Sequence, residues 1–190
     1  MLKQSLALLT AATFSVCTYA ANTLVEMKTS MGNIEIELFN DKAPVSAKNF
    51  EDYAKANFYN GTIFHRVIPG FMIQGGDPNG DGTGGPGYAI RGEFSSNGVE
   101  NDLSHVRGVL SMARSSANDS AGSQFFIMHK NSPHLDGAYA AFGKVIDGMD
   151  VVNKIAETAT DYSDRPLQPQ VMKTVTVETF GVDYPEPEKC

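Results

Sequence analysis

Tryptophan is absent from this 190-residue chain, and cysteine occurs only twice, at Cys17 and Cys190. Lys and Arg number 15 against 22 Asp and Glu, for a formal charge of −7. An acidic chain without a basic cluster has no electrostatic footprint for nucleic acid, so that class is set aside. Apolar residues make up 42% and charged residues 19%, which is too polar for a membrane bundle. The histidines His65, His105, His129 and His134 form no H-E-x-x-H or other strong metal spacing. No G-x-S-x-G elbow is present, and nothing in the order of Ser and His points to a hydrolase triad.

The N-terminus reads separately from the rest. MLKQSLALLTAATFSVCTYA carries one positive charge at Lys3, an apolar centre from Leu6 to about Val16, and small residues at Thr18 and Ala20. That is the pattern of a secretory signal peptide over residues 1–20, too short and interrupted to serve as a permanent anchor. Cleavage would remove Lys3, taking the charge from −7 to −8, and would remove Cys17. Cys190 is then alone at the C-terminus, so no internal disulfide is expected even in an exported chain. The expected location is the periplasm or outside the cell, with no membrane contact after cleavage.

What remains is one domain, residues 21–182, followed by a tail over 183–190. Asn33 to Phe39 alternates polar and apolar, which predicts a strand with one wet face, paired with Leu24 to Ser30 through Met31-Gly32. Pro44 opens a helix running to about Ala56, since a first-turn proline loses no hydrogen bond. Ile63 to Ile68 and Phe71 to Gln74 predict strands around Pro69-Gly70. Further strands are expected at Gly108–Met112, Gln124–Met128, Ala141–Ile146 and Val171–Phe180, with a helix over Met149–Glu157. The tail DYPEPEKC is acidic and proline-containing and reads as flexible. Eighteen glycines fit many tight turns. Eight short strands and two helices in one domain point to a mostly β fold: a closed eight-stranded antiparallel β-barrel capped by two α-helices.

The glycine-rich loop, GGDPNGDGTGGPG over residues 75–87, matches two familiar motifs and fits neither. Asp77 to Gly82 opens like a calcium loop, but Tyr88 stands where that loop needs a bidentate Glu. Gly80, Gly82 and Gly85 match G-x-G-x-x-G, but Pro86-Gly87 follows where a dinucleotide site needs a helix. A multi-turn surface loop is the plain reading.

The informative stretch is FHRVIPGFMIQGGD, residues 64–77. It is strand-like and apolar, yet it holds Arg66 and Gln74, which cannot be buried without partners except at a cost of kilocalories. In a regular strand Phe64 and Arg66 share a face and His65 points away, while Met72 and Gln74 share a face. Paired across the turn, these would form a wall with a guanidinium and an amide over an apolar floor. An amide oxygen can hold a guanidinium fork in place. Two readings stand on this stretch alone: a ligand-binding wall, or an arginine paired with a core carboxylate.

FHRVIPGFMIQGGD, GTGGPGY, SMA, GSQFFI, LDG and FGKVIDGMDVV occur in that order. Together they resemble the cyclophilin family of peptidyl-prolyl cis-trans isomerases over roughly Val25 to Gly181. The resemblance implies an eight-stranded antiparallel barrel with two capping helices. It implies Arg66 as the catalytic residue, Gln74 as its orienting glutamine, and Phe71, Met72, Phe126 and Leu135 as the pocket for the proline ring. Ala113 and Gln124 match positions lining the groove for the peptide backbone, and His65 matches its edge. Departures fall at His134, where many members carry Trp, at Tyr139, where many carry His, and at Arg114, where many carry Asn. The missing Trp implies weak cyclosporin binding, and Arg114 implies a second cation near the groove. No metal, cofactor or covalent intermediate is expected, since rotation about an X–Pro bond needs no proton transfer. The expected partners are proline-containing peptides and unfolded or partly folded proteins, acted on by a monomer. A non-catalytic module or chaperone that binds proline segments is the alternative; the intact set around Arg66 favours the enzyme.

Overall fold

A computed structural model describes residues 22–190; the expected signal peptide, with Cys17, lies outside the described residues. Eight strands run β1 (Leu24–Thr29), β2 (Gly32–Leu38), β3 (Arg66–Ile68), β4 (Met72–Gly75), β5 (Val109–Met112), β6 (Phe125–Met128), β7 (Ala141–Asp147) and β8 (Met172–Glu178). Helix α1 (Pro44–Lys55) follows β2, and α2 (Met149–Ala156) follows β7. All strand pairs are antiparallel, in the order β3-β4-β6-β5-β7-β2-β1-β8.

The expectation of a fully closed barrel is slightly too strong. The edge strands β3 and β8 share no ladder; a single bridge, Ile63 with Val171, joins the two rims. Phe64 N–H donates to Gln170 O at 2.9 Å and Met172 N–H to Thr62 O at 2.9 Å. The sheet is a curled barrel stitched at one seam, because β3 is only three residues long and leaves the rim before it can pair further.

Two apolar cores divide the sheet between them. The alternation in β2 puts Ile34, Ile36 and Leu38 inside the barrel, fully buried. Phe50 of α1 fills the same interior, with ring centroids 4.9 Å from Tyr59, 5.2 Å from Phe125 and 5.7 Å from Phe142. Val152, Ile155 and Ala156 of α2 are also fully buried. Each large side chain taken out of water contributes about 1.5–3 kcal/mol. On β4, β6 and β5 the alternate residues face outward instead. Met72, Phe126, Met128 and Val109 join Leu135 and Ala141 in a second, smaller core on the barrel's exterior.

Ala43 precedes α1 and has no side chain to cap it. Glu93 does so from a distance: its carboxylate accepts from Val45 N–H (2.9 Å), Ser46 N–H (2.8 Å) and Ser46 Oγ–H (2.7 Å). The negative charge also suits the helix N-terminus.

The tail departs from its expected flexibility. Pro187 is buried, Lys189 bridges Ile90, and Cys190 N–H donates to Ala89 O at 2.8 Å. Glu186 pairs at 3.0 Å with Lys48, whose own side chain is almost fully covered. Composition argues against isolated order in such a segment, but it does not reveal the open backbone edge at residues 89–90 or the shielded lysine.

Candidate active site

The stretch from Phe64 to Gln74 does not begin as a regular strand. Phe64 is fully buried in the barrel core, and so is Val67, while Arg66 between them is exposed. Phe64 and Arg66 therefore do not share a face, as uninterrupted strand geometry would require. The ladder starts only at Arg66, after Ile63 has already bridged both Asp77 and Val171.

From Arg66 onward the register is regular. Arg66 stands opposite Gln74, Gln74 opposite Phe126, and Phe126 opposite Ser111. This row crosses the exterior of the sheet and brings a guanidinium, an amide and an aromatic ring to one surface. A cavity of about 270 Å³ opens there. Phe71, Met72, Phe126 and Leu135 give it apolar walls, Arg66 and Gln74 one polar side, and Ala113, Arg114 and Tyr139 the other. The Phe126 ring is fixed edge-on to Tyr139, centroids 5.9 Å apart at 80°.

A second cavity of about 500 Å³ adjoins it and shares Gln74, Ala113 and Arg114. Its wall is the glycine-rich loop from Gly82 to Tyr88, facing Ser120 to Gln124. The sequence alone presents this loop as plain surface. Asp77, only 1% exposed, organises it by accepting from Asn79 N–H (2.8 Å), Asp81 N–H (3.0 Å) and Gly82 N–H (2.5 Å). Burial pushes this carboxyl up, but the backbone donors outweigh it and hold it below the usual carboxylate range.

Several expected site residues sit differently. Gln74 Nε2 donates to Gln124 Oε1 at 3.0 Å, and Gln124 Nε2 donates to Gly82 O (3.1 Å) and Gly84 O (2.9 Å). The two glutamines thus brace the glycine-rich loop, and Gln124 lines the second cavity rather than the first. The ionic partner of Arg66 is Asp164, with Nε to Oδ2 at 3.6 Å. Asp164 also accepts Val67 N–H on its carbonyl at 2.9 Å, from a left-handed backbone with φ 61°. Nothing in the linear sequence marks Asp164, because only the seam of the barrel brings its loop to β3.

His65 does not reach the groove edge. It is 6% exposed and lies under Gly82, and burial lowers its pKa despite the neighbouring Asp77 carboxylate. His65 precedes the regular ladder of β3, and its ring sits beneath the loop. Arg114 is not a free second cation. Its guanidinium lies 4.7 Å from the Tyr139 ring and 5.0 Å from that of Phe94. It donates to Ala138 O through Nε (3.1 Å) and Nη2 (2.8 Å), and to Ser115 O through Nη1 (2.9 Å). With its donors engaged it forms a partition between the cavities. His134 is exposed and stacks on Phe71, centroids 5.8 Å apart, behind the apolar wall.

The family described as cyclophilin type peptidyl-prolyl cis-trans isomerase/CLD matches residues 24–177. A peptidyl-prolyl cis-trans isomerase of Acinetobacter baylyi is 52% identical over 174 residues, covering 85% of this chain and 88% of that protein. Peptidyl-prolyl cis-trans isomerase A of Dickeya dadantii is 45% identical, covering 82% and 85%. Among solved structures, a Cryptosporidium parvum cyclophilin type isomerase, crystallised in the presence of the dipeptide Ala-Pro, superposes with a TM-score of 0.76. It is 37% identical and covers 82% of this chain and 98% of that one.

Proposed function

The chain belongs to the cyclophilin-type peptidyl-prolyl cis-trans isomerases, and we propose that it turns X–Pro bonds by holding the proline ring in the apolar cavity beside Arg66. The barrier to be lowered is about 18–20 kcal/mol, set by amide resonance. At the twisted transition state that resonance is broken, and the prolyl nitrogen gains a lone pair able to accept a hydrogen bond. A donor aimed at that lone pair binds the twisted state more tightly than either planar one. Arg66 supplies the donor with a permanent charge and acts by electrostatic preorganisation. Phe71, Met72, Phe126 and Leu135 anchor the ring while the preceding carbonyl rotates. The adjoining cavity would take residues before the proline, across the edge formed by Ala113 and Gln124.

One observation carries this reading: the register that sets Arg66 across from Gln74, and Gln74 across from Phe126, beside a cavity walled by Phe71, Met72, Phe126 and Leu135. The leader of residues 1–20 supports export, so the clients would be exported proteins whose folding waits on proline isomers. His134 in place of a Trp supports weak cyclosporin binding. The test is exchange between the cis and trans forms of an Ala-Pro peptide, followed by NMR with the parent and Phe126→Ala. Accelerated exchange in the parent, with KM raised at least tenfold in the variant, about the worth of 1.4 kcal/mol of lost contact, is expected. Peptide binding without accelerated exchange in a folded parent would reduce the protein to a proline-binding module.

A further inference from the structure

Beneath the apolar cavity lies a connected set of polar side chains that the proposed chemistry does not use. His105 is 1% exposed and Ser111 is fully buried. His105 Nδ1 lies 3.0 Å from Asp136 Oδ1, and His105 Nε2 lies 3.0 Å from Ser111 Oγ. The connectivity is that of a Ser-His-Asp triad, yet Ser111 has no exposed surface on which to meet a substrate. Hydrolysis is therefore not its use.

The proton positions follow from the partners. An ionised carboxylate only accepts, so His105 carries its proton on Nδ1. Burial lowers the His105 pKa against the opposing pull of Asp136, which favours the neutral ring. Nε2 is then an acceptor, and Ser111 Oγ–H donates to it. Both ring nitrogens and the buried hydroxyl thereby have partners.

Both ends of this set adjoin residues that line the cavity. Asp136 closes the short turn that carries Leu135, and its Oδ1 also accepts His105 N–H at 2.6 Å. His105 O accepts Ser132 N–H at 2.8 Å from the other side of that turn. The His105 ring stacks beneath Phe126, centroids 6.1 Å apart at 22°, and Ser111 stands directly across from Phe126 on β5.

We propose that Asp136, His105 and Ser111 form a positioning chain, buried at its last two members, that fixes Phe126 and Leu135, the floor and one wall of the proline cavity. The proposal rests on the reading of that cavity as the proline site. His105 is the central member: it links the turn carrying Leu135 to the strand facing Phe126 and backs the Phe126 ring itself. A fully hydrogen-bonded polar network in an apolar setting specifies one arrangement where apolar packing alone would allow several.

The test compares His105→Phe, His105→Gln, Asp136→Asn and Asp136→Ala with the parent. The His105→Phe substitution keeps an aromatic ring under Phe126 but cuts both hydrogen bonds. The Asp136→Asn substitution keeps an oxygen able to accept from the imidazole. The readouts are the Phe126 ring and Leu135 methyl NMR signals in the free protein, and KM and kcat for an X-Pro peptide. In His105→Phe and His105→Gln the Phe126 and Leu135 signals are expected to shift or broaden. KM should rise about fivefold or more, with kcat less affected. Asp136→Asn should stay near the parent, while Asp136→Ala should follow the histidine variants. Unchanged Phe126 and Leu135 signals in folded His105→Gln would overturn the proposal. So would Asp136→Asn proving as damaging as Asp136→Ala. The NMR readout needs no substrate, so a parent that binds no proline peptide would count against the cavity reading and leave the positioning chain to be judged on its own signals.

Discussion

At the scale of single residues, the site differs from its expectation in which side chain holds Arg66. An amide across the strand is the obvious partner, and Gln74 is in register to serve. Gln74 gives its amide N–H to Gln124, and it is the carboxylate of Asp164 that pairs with the guanidinium. Both members of that ion pair are nearly half exposed, so its worth lies in the range of about 0–1 kcal/mol. Asp164→Ala should therefore lower kcat/KM by up to about fivefold, through a less ordered Arg66, with the loss growing smaller as salt is added. Steady-state kinetics at low and high ionic strength check this; an unchanged kcat/KM at low salt would mean that Arg66 needs no such partner. Arg114 teaches a related lesson. A cation in sequence is not a cation offered to substrate, because carbonyls of Ala138 and Ser115 and two aromatic faces already occupy it.

At the scale of elements, the tail is the feature with the clearest consequence. It adds a short bridge beside Ile90, which pairs on its other side with Ala121, and it sets Lys189 Nζ 4.3 Å above the Tyr88 ring that walls the second cavity. Ending the chain at residue 182 should lower Tm by about 2–4 °C, a modest loss for a domain of this size. It should also weaken binding of peptides extended before the proline more than that of a bare Ala-Pro unit. Thermal melts and paired KM values test both; equal KM changes for the two peptides would remove the tail from the second cavity. Most elements are legible in the sequence because their signals are local. The period-two run of β2, the proline at the start of α1 and the Pro69-Gly70 turn all report on neighbours in sequence. The tail, the Glu93 cap and Asp164 depend on contacts made only after the barrel curls, and no local pattern encodes them. His105, Ser111 and Asp136 show no triad in linear order for the same reason. The groove residues Arg66, Phe71, Met72, Gln74, Phe126 and Leu135 emerge through the family's motifs, whereas periodicity alone misplaces Phe64.

At the scale of the whole molecule, the fold draws on groups that resist protonation. His65 and His105 both have pKa values lowered by burial. Asp77 is buried and Asp136 partly covered, at a cost that would raise both, but backbone donors, and for Asp136 the His105 ring, hold them low. In each case the unfolded chain binds protons at a pH where the folded chain does not, so stability rises with pH across that window. The histidine contribution is complete above about pH 6.5 and declines as pH falls below it; the carboxylate contribution declines further through the acid range. Tm measured from pH 8 to pH 4 should be level at first and then fall continuously. A Tm that holds steady or rises between pH 7 and pH 5 would show that these groups do not govern stability. Activity is the other property of the whole, and in the proposed mechanism it turns on one guanidinium, that of Arg66, beside the cavity. The decisive measurement is kcat/KM for an X-Pro peptide in the parent, Arg66→Ala and Arg66→Lys, with peptide affinity measured alongside. The account predicts a loss on the order of 100-fold or more in Arg66→Ala at nearly unchanged affinity, with little recovery in Arg66→Lys, since an ammonium lacks the planar fork. Turnover equal to the parent in folded Arg66→Ala would contradict it.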